Sequence, residues 1–252
     1  MKLGSNIVQK PSLSTTMDGV LRPHYTHFKE IDSTHLFTKK QRSAVLQGEL
    51  LIVSADHQTG GIGRRKDTWY GERGSSLLVS YGFLRKEAMP HALIFVLAGA
   101  LCRFLEEEGL SPMIKWPNDI FLSGKKVAGL MEDVQDDFIV LSFGMNVNEE
   151  SSFFYRHGLQ ATSLFLEKKV PFHVKSLLTS ITDTFCTLLA SEDMLKVVHS
   201  YCDRHLLWKN ARVSVDGKAG ILLGLDSEFR ARVDVSGTVT TITTGTMRED
   251  IS

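Results

Sequence analysis

The 252-residue sequence has no excess of charge of either sign, because 29 Asp and Glu residues balance 29 Lys and Arg residues. A protein held on nucleic acid by bulk electrostatics is normally basic, so this balance argues against that class, although a local basic site remains open. The three cysteines, Cys102, Cys186 and Cys202, are too few and too widely spaced for a disulfide framework or a zinc pattern. We therefore expect no nucleic-acid partner and a reducing, cytoplasmic compartment.

Targeting signals and long apolar segments are also missing. Residues 1–22 are rich in Ser, Thr, Lys and Gln and lack the apolar core of a signal peptide. The longest apolar run, Ala92 to Cys102, is about half of the ~20 residues that span a bilayer. It therefore predicts a buried helix, and we expect no membrane partner.

Apolar spacing along the rest of the chain predicts an α+β fold. Helices are predicted at 34–47, 90–108, 172–190 and 192–206, and strands at 50–53, 77–83, 113–116, 120–122, 126–133 and 138–146. Short links between the later strands favour antiparallel pairing. From Ala211 to Ile251, short runs rich in Val, Thr and Ile alternate with turns, which predicts a small β-barrel. We thus expect a flexible arm at 1–22, a main domain at 23–207 and a C-terminal β-barrel domain at 208–252.

A long polar segment, residues 56–75, lies between two apolar strands, and such a loop in a compact domain is usually functional or mobile. Its sequence includes Gln58-Thr59-Gly60-Gly61-Ile62-Gly63-Arg64-Arg65-Lys66 and then Trp69. Glycines let backbone N–H groups approach an anion, and two arginines add forked donors for phosphate or carboxylate. The segment is not a Walker motif, because the Gly-Lys-Ser/Thr ending is absent. A solvated basic loop is the alternative interpretation.

Polar residues follow two later strands. In Lys115-Trp116-Pro117-Asn118-Asp119, the side chains of Asn118 and Asp119 offer oxygen ligands suited to Mg²⁺, and Lys115 offers a point charge for phosphate. The alternative is a polar β-turn with an ion pair. In Lys125-Lys126-Val127-Ala128-Gly129, a lysine at the mouth of a strand could reach a carboxylate or an α-phosphate. The alternative is a pair of ordinary hairpin charges.

Two further polar sites each have two interpretations. Asn146, within Gly144-Met145-Asn146-Val147-Asn148, could hold a base, a ribose or a metal-bound water, although a turn-forming Asn is more common. Ser33-Thr34 can cap a helix, or can bind a polar head group together with the helix N-terminus. Both roles of Ser33-Thr34 can hold at once.

In this order, these elements resemble the biotin protein ligase family. The complete Lys-Trp-Pro-Asn-Asp motif at 115–119 and the Lys-x-Ala-Gly motif at 126–129 are the specific part of the resemblance. The Asp-Ser-Thr element at 32–34, the Gly-Arg loop at 61–66 and the Gly-x-Asn element at 144–146 complete it. The resemblance covers about residues 28–252. It implies a class II aminoacyl-tRNA synthetase-like catalytic core, at 23–207, with a small C-terminal SH3-like β-barrel.

The resemblance also implies an activity and its partners. Such an enzyme uses ATP and Mg²⁺ to form biotinyl-5'-AMP and transfers biotin to a lysine of a biotin carboxyl carrier protein or domain, as a monomer or a homodimer. Lys126 and Arg64 would carry catalysis by neutralising negative charge. Biotin would be bound by Ser33, Thr34, His35, Gln58, Ile62, Gly63, Arg64, Lys126 and Gly129. The nucleotide would be bound by Arg64, Arg65, Trp69, Lys115, Asn118 and Asn146, and magnesium by Asp119.

Three positions depart from the family pattern, and other functions remain as alternatives. Ile62 stands where the family usually has Arg, Lys66 where it usually has Gly, and His35 where Asn is common. A lipoate or octanoate ligase or transferase on the same core is the enzyme alternative, and the intact motif at 115–119 favours biotin over it. A biotin-sensing repressor is the non-enzyme alternative, and we expect the arm at 1–22 to be too short for a helix-turn-helix domain. An inactive acyl-binding module would be expected to lose Lys126 and Asp119.

Overall fold

The computed structural model describes residues 21–64, 67–85 and 92–250. The chain divides into two compact units, the first made of residues up to 88 together with 128–180, and the second of 89–127 together with 181–252. Most of the predicted arm lies outside the described residues, and the domain boundaries at 22 and 207 stay predictions. In the part of the chain that the structure describes, no helix is long and apolar enough to cross a membrane.

A largely antiparallel sheet forms the centre of the first unit. Its strands are β1 (Arg22–Phe28), β2 (Glu49–Ala55), β3 (Ser76–Leu84), β7 (Phe138–Asn146) and the part of β6 (Lys125–Gln135) that follows Val127. They lie in the order β1-β2-β3-β7-β6, with β1 parallel to β2 and the other pairs antiparallel. β3 and β7 are buried along almost their whole length, so their near-continuous apolar sequences are those of central strands. The sequence pattern does not predict β1, because its side chains are polar and mostly exposed and only its pairing with β2 makes it a strand.

Short helices accompany this sheet. They are α1 (Thr34–Lys39), α3 (Ser151–Arg156), α4 (Leu164–Lys168) and the start of α5 (Val174–Leu189). The prediction of a capped helix at Ser33 is confirmed, since Ser33 Oγ accepts a hydrogen bond from the backbone N–H of Leu36 at 3.3 Å. The predicted extension of this helix to residue 47 is wrong. After Lys39 the chain makes only a 3₁₀ turn at Arg42–Ala44, and the side chains of Lys39 and Arg42 reach Asp133 and Asp137 in tertiary ion pairs.

The second unit combines helices with two groups of strands. Its elements are α2 (Ala92–Glu107), β4 (Met113–Lys115), β5 (Asp119–Leu122), the first residues of β6, the end of α5, α6 (Met194–Arg204), β8 (Arg212–Val215), β9 (Lys218–Leu225), β10 (Ala231–Val235), β11 (Thr238–Ile242) and β12 (Met247–Glu249). The apolar run from Ala92 to Cys102 is buried throughout, which confirms the predicted buried helix. β4 pairs antiparallel with β5, and β5 lies beside β6 across a turn in which Ser123 and Gly124 have positive φ.

The C-terminal part of the second unit is all-β, as the sequence predicts. Its five strands lie in the order β11-β10-β9-β8-β12, and every hydrogen-bonded pair is antiparallel. Two of the predicted turns, Asp216-Gly217 and Ser236-Gly237, have positive φ at both residues, which suits two-residue hairpins. The α+β class is confirmed.

Trp116, within the motif at 115–119, is a core residue of the second unit. Its side chain is 1% exposed, and its Nε1 donates a hydrogen bond to the carbonyl oxygen of Phe229 at 3.2 Å. The ring of Phe229 in turn stacks on that of Phe95, with centroids 5.0 Å apart. Trp116 therefore links the turn that carries Asp119 to the C-terminal strands.

We predict that Trp116→Phe lowers the free energy of unfolding by about 1–3 kcal/mol, because a buried carbonyl loses its donor. Urea denaturation measures this change. Tyr155→Phe is the control: Tyr155 is 88% exposed, and its substitution should change stability by less than about 0.5 kcal/mol. A Trp116→Phe variant as stable as the wild type would show that the bond to Phe229 contributes nothing.

Candidate active site

A group of buried polar side chains lies across the sheet of the first unit. Thr34 and His35 begin α1, Ser80 lies on β3, and Ser142 lies on β7 directly opposite Ser80 in the register. These four side chains belong to residues no more than 7% exposed. Buried polar atoms are costly unless they are hydrogen-bonded, so their partners determine what this group can do.

These side chains form one continuous series of hydrogen bonds that begins at Gln58. Gln58 Oε1 accepts from the backbone N–H of Thr34 at 2.7 Å and from Thr34 Oγ1 at 2.9 Å. Thr34 Oγ1 accepts from Ser80 Oγ at 2.9 Å, and Ser80 Oγ accepts from Ser142 Oγ at 2.8 Å. His35 Nδ1 lies 2.8 Å from Ser142 Oγ and ends the series. We call this series the polar chain.

The second ring nitrogen of His35 faces an ion pair. His35 Nε2 is 3.8 Å from Asp133 Oδ2, and Lys39 Nζ is 2.6 Å from the same oxygen. Burial lowers the pKa of His35; Asp133 opposes this effect and Lys39 adds to it. The imidazole is therefore neutral at neutral pH.

The Gly-Arg loop is held at its base by backbone hydrogen bonds. Ile62 pairs with Thr68 in an antiparallel bridge, and the backbone N–H of Trp69 donates to Gly61 at 3.0 Å. The backbone N–H of Gly63 donates to the backbone carbonyl oxygen of Asp67 at 2.7 Å. Arg64 is half-buried in this turn, while Arg65 and Lys66, the other predicted basic residues, lie outside the described residues.

Trp69 lies against a glycine of the sheet, Gly144. Gly129 of β6 pairs with Gly144 of β7, and a Cβ atom at Gly144 would lie only 2.5 Å from Cε2 of the Trp69 indole. The indole can reach this position only because Gly144 has no side chain. In the first unit, the structure thus brings Gly144 of the Gly-x-Asn element together with two predicted site residues, Trp69 as its packing partner and Gly129 as its strand partner.

Asn146, at the end of that element, already has a structural partner. It is 4% exposed, and its Nδ2 donates a hydrogen bond to the carbonyl oxygen of Thr162 at 2.9 Å. This bond connects the end of β7 to the segment before α4. A nucleotide-binding role for Asn146 stays a prediction.

In the second unit, three predicted residues lie together with one that the sequence analysis missed. Lys126 Nζ is 2.7 Å from Asp119 Oδ1. Lys115 Nζ lies over the rings of Phe121 and Trp208, 5.4 Å and 5.6 Å from their centroids. Burial lowers the pKa of Lys115; Asp119 acts against this effect, whereas Lys126 and Arg248 reinforce it. No sequence signal marks Arg248, because it lies on β12, far along the chain.

This arrangement favours anions. Lys126 and Arg248 act on Lys115 as like charges, and Asp119 is the carboxylate that acts on Lys115 with them. A surplus of cations around one carboxylate attracts phosphate or carboxylate groups. Among the residues that the structure describes, no group of three or more His, Cys, Asp or Glu side chains is placed to hold a metal ion. A Mg²⁺ ion that is shared with nucleotide phosphates needs only one or two carboxylates from the protein, and the role of Asp119 as its ligand stays a prediction.

Residues 27–145, just under half of the chain, match the model of the biotin/lipoate A/B protein ligase family. It is 32% identical over 112 residues to the bifunctional ligase/repressor BirA of Bacillus subtilis, an alignment that covers 41% of this chain and 34% of BirA. It is 29% identical over 123 residues to the biotin–[acetyl-CoA-carboxylase] ligase of Mycobacterium tuberculosis, with 45% of each chain covered. The chain thus spans about a third to just under a half of the length of these curated relatives.

Solved structures show the same fold over most of the chain. A biotin protein ligase from Aquifex aeolicus in complex with biotin and ATP has a TM-score of 0.76 at 23% identity, covering 90% of this chain and 99% of that one. A biotin acetyl coenzyme A carboxylase synthetase from Helicobacter pylori with bound biotinylated ATP has a TM-score of 0.63 at 18% identity, covering 86% and 98%. This similarity confirms the predicted α+β core of the class II aminoacyl-tRNA synthetase-like kind, followed by a small all-β part.

We predict that Gly144→Ala displaces the Trp69 indole and destabilises the protein by about 1–3 kcal/mol, as overpacking does. Chemical denaturation measures the stability, and intrinsic tryptophan fluorescence reports the displacement. Gly60→Ala, in the neighbouring loop, is the control, because its nearest non-neighbouring atom would be 3.5 Å from the new Cβ. Equal effects of the two substitutions would show that contact with Trp69 is not what excludes a side chain at Gly144.

Proposed function

We propose that this protein is an ATP-dependent biotin protein ligase that forms biotinyl-5'-AMP and transfers biotin to a lysine of a biotin carboxyl carrier protein or domain. The observation that carries the proposal is the contact of Lys126 with Asp119 beside Lys115, in the two motifs that are most specific to the family. The family match over 27–145 supports it independently.

In the first step, a carboxylate oxygen of biotin attacks the α-phosphorus of ATP, and the bond to the β-phosphate breaks to release pyrophosphate. Two anionic groups approach each other, so the barrier falls when fixed cations neutralise their charge. Lys126 has this role in the proposal, and Asp119 holds its ammonium group in place. Bound Mg²⁺ would supply further charge neutralisation, with Asp119 as its protein ligand.

In the second step, the amine of the acceptor lysine attacks the carbonyl carbon of the mixed anhydride. An amide bond forms, AMP leaves with the electrons of the C–O bond, and the amine releases a proton to solvent. The protein has little covalent chemistry to perform here, and its contribution is to position the reactants. Arg64 would retain the anhydride through charge-assisted hydrogen bonds to its phosphate.

The first unit would hold the head of biotin. Its proposed contacts are Ser33, Thr34, Gln58, Ile62, Gly63 and Gly129, while His35, which is predicted with them, faces Ser142. The buried polar chain supports a ligand with a polar head, because buried hydroxyls match hydrogen-bonding groups and not a dithiolane ring. Arg65, Trp69, Asn118 and Asn146 stay predicted nucleotide contacts.

A cytoplasmic location and a monomer or homodimer complete the proposal. Cys102, Cys186 and Cys202 are free thiols, with Cys102 and Cys202 buried, which suits a reducing compartment.

The central test of the function is a competition between biotin and lipoate. We expect incubation with ATP, Mg²⁺ and both acids to add biotin alone to a carrier domain, as measured by mass spectrometry. Calorimetry should give a binding free energy for biotin of about −8 kcal/mol or better, a micromolar dissociation constant. Transfer of lipoate, or lipoate binding as tight as that of biotin, would contradict the assignment, since the family model covers both kinds of ligase.

Adjacent lysines provide a matched pair for the first step. Lys126→Ala should reduce adenylate formation on the order of 10²-fold, as loss of a preorganised donor does, measured as biotin-dependent release of pyrophosphate. Lys125→Ala, at an exposed position one residue earlier, should be nearly silent. If both variants lose activity equally, or neither does, Lys126 is not the charge clamp.

A further inference from the structure

The polar chain has two ends with different hydrogen-bonding capacity, and this difference determines where its protons lie. At one end, the backbone N–H of Thr34 points at the Gln58 side chain at 2.7 Å. A backbone N–H can only donate, so the Gln58 atom that it meets is the carbonyl oxygen Oε1 and not the amide nitrogen. The orientation of the Gln58 side chain is therefore fixed.

The fixed oxygen sets the direction of every following bond. Oε1 can only accept, and it lies 2.9 Å from Thr34 Oγ1, so the single hydroxyl proton of Thr34 points to Gln58. Thr34 Oγ1 must then accept from Ser80, and Ser80 must accept from Ser142. Ser142 has no proton left for His35, and the contact of 2.8 Å between them needs a proton on His35 Nδ1.

We propose that His35 is a positioning residue that is held as the neutral Nδ1–H tautomer and acts through Ser142 and Ser80 on Thr34. The proposal rests on the proposed function, and it deepens that function by adding a residue that orients a proposed biotin contact, Thr34. With its proton directed to Gln58, Thr34 Oγ1 can only accept from a ligand.

The surroundings of His35 explain why this tautomer is stable. Asp133 of β6 and Lys39 of α1 are the charged groups that face the ring. Lys39 Nζ lies 2.6 Å from the Asp133 oxygen that faces Nε2, so much of the carboxylate charge is already compensated. With the other tautomer, Ser142 would donate to Nδ1, and one contact in the polar chain would place two oxygens together without a proton.

Asn, which is common in the family at position 35, and Leu provide a matched pair of variants. In His35→Asn, the amide nitrogen can occupy the place of Nδ1 and donate to Ser142, whereas His35→Leu has no donor. We expect His35→Leu to weaken biotin binding on the order of tenfold, the effect of one lost buried hydrogen bond, and His35→Asn to bind within about twofold of wild type. Ser142→Ala breaks the polar chain at its next link and should weaken biotin binding by a similar factor. It takes the place of His35→Leu if that variant folds poorly.

Two readouts separate positioning from a general structural role. ¹⁵N NMR of the ligand-free protein, with the His35 signals assigned by their loss in His35→Asn, should show the Nδ1–H tautomer at neutral pH. Biotin affinity should stay constant as His35 is protonated in acid, because an imidazolium still donates from Nδ1.

An Nε2–H tautomer, or a His35→Leu variant that binds biotin as tightly as wild type and the Asn variant, would overturn the inference. The tautomer measurement needs no ligand. If the wild type binds lipoate in preference to biotin, the proposed function fails, while the ¹⁵N spectrum still decides the proton arrangement.

Discussion

The requirement that buried polar atoms be hydrogen-bonded governs the first unit. Thr34, Ser80 and Ser142 come from a helix and two central strands, and their hydroxyl groups are satisfied only when these elements lie in one arrangement. A slip of β3 against β7 by one residue would move Ser80 to the opposite face of the sheet from Ser142 and leave both without a partner. The same hydrogen bonds that keep the strands in register thus build the wall of the candidate active site.

The space beside Gly144 and the charges around Asp119 also depend on a few neighbouring residues. Gly144, which pairs with Gly129, leaves room on the sheet that the Trp69 indole fills. In the second unit, Lys126 and Arg248 act on Lys115 as like charges. Asp119 contacts Lys126 and acts on Lys115 as the opposite charge. A chain with no net charge can therefore still have a local surplus of cations, and it is the nearest charges that decide which ions are attracted.

The degree of burial explains which helices and strands the sequence predicts. Strands β3 and β7 and helix α2 are buried along nearly their whole length, so their apolar sequences identified them. The exposed strand β1 and the short helices α3 and α4 carry no such pattern and were missed. The helix that begins at Thr34 is predicted too long: it ends at Lys39, and only a 3₁₀ turn at Arg42–Ala44 follows it.

The sequence by itself determined the motifs, their order and the chemistry that their side chains can perform, because residue types and short spacings are local properties. It did not predict the contact of Lys126 with Asp119, although one short turn joins their strands. Only the tertiary structure decided that His35 reaches Ser142 across the sheet, that Trp116 is a core residue bonded to Phe229, and that Arg248 belongs with Lys115. Each of these contacts joins residues about a hundred or more positions apart, and such pairs meet only because strand pairing and burial bring them together.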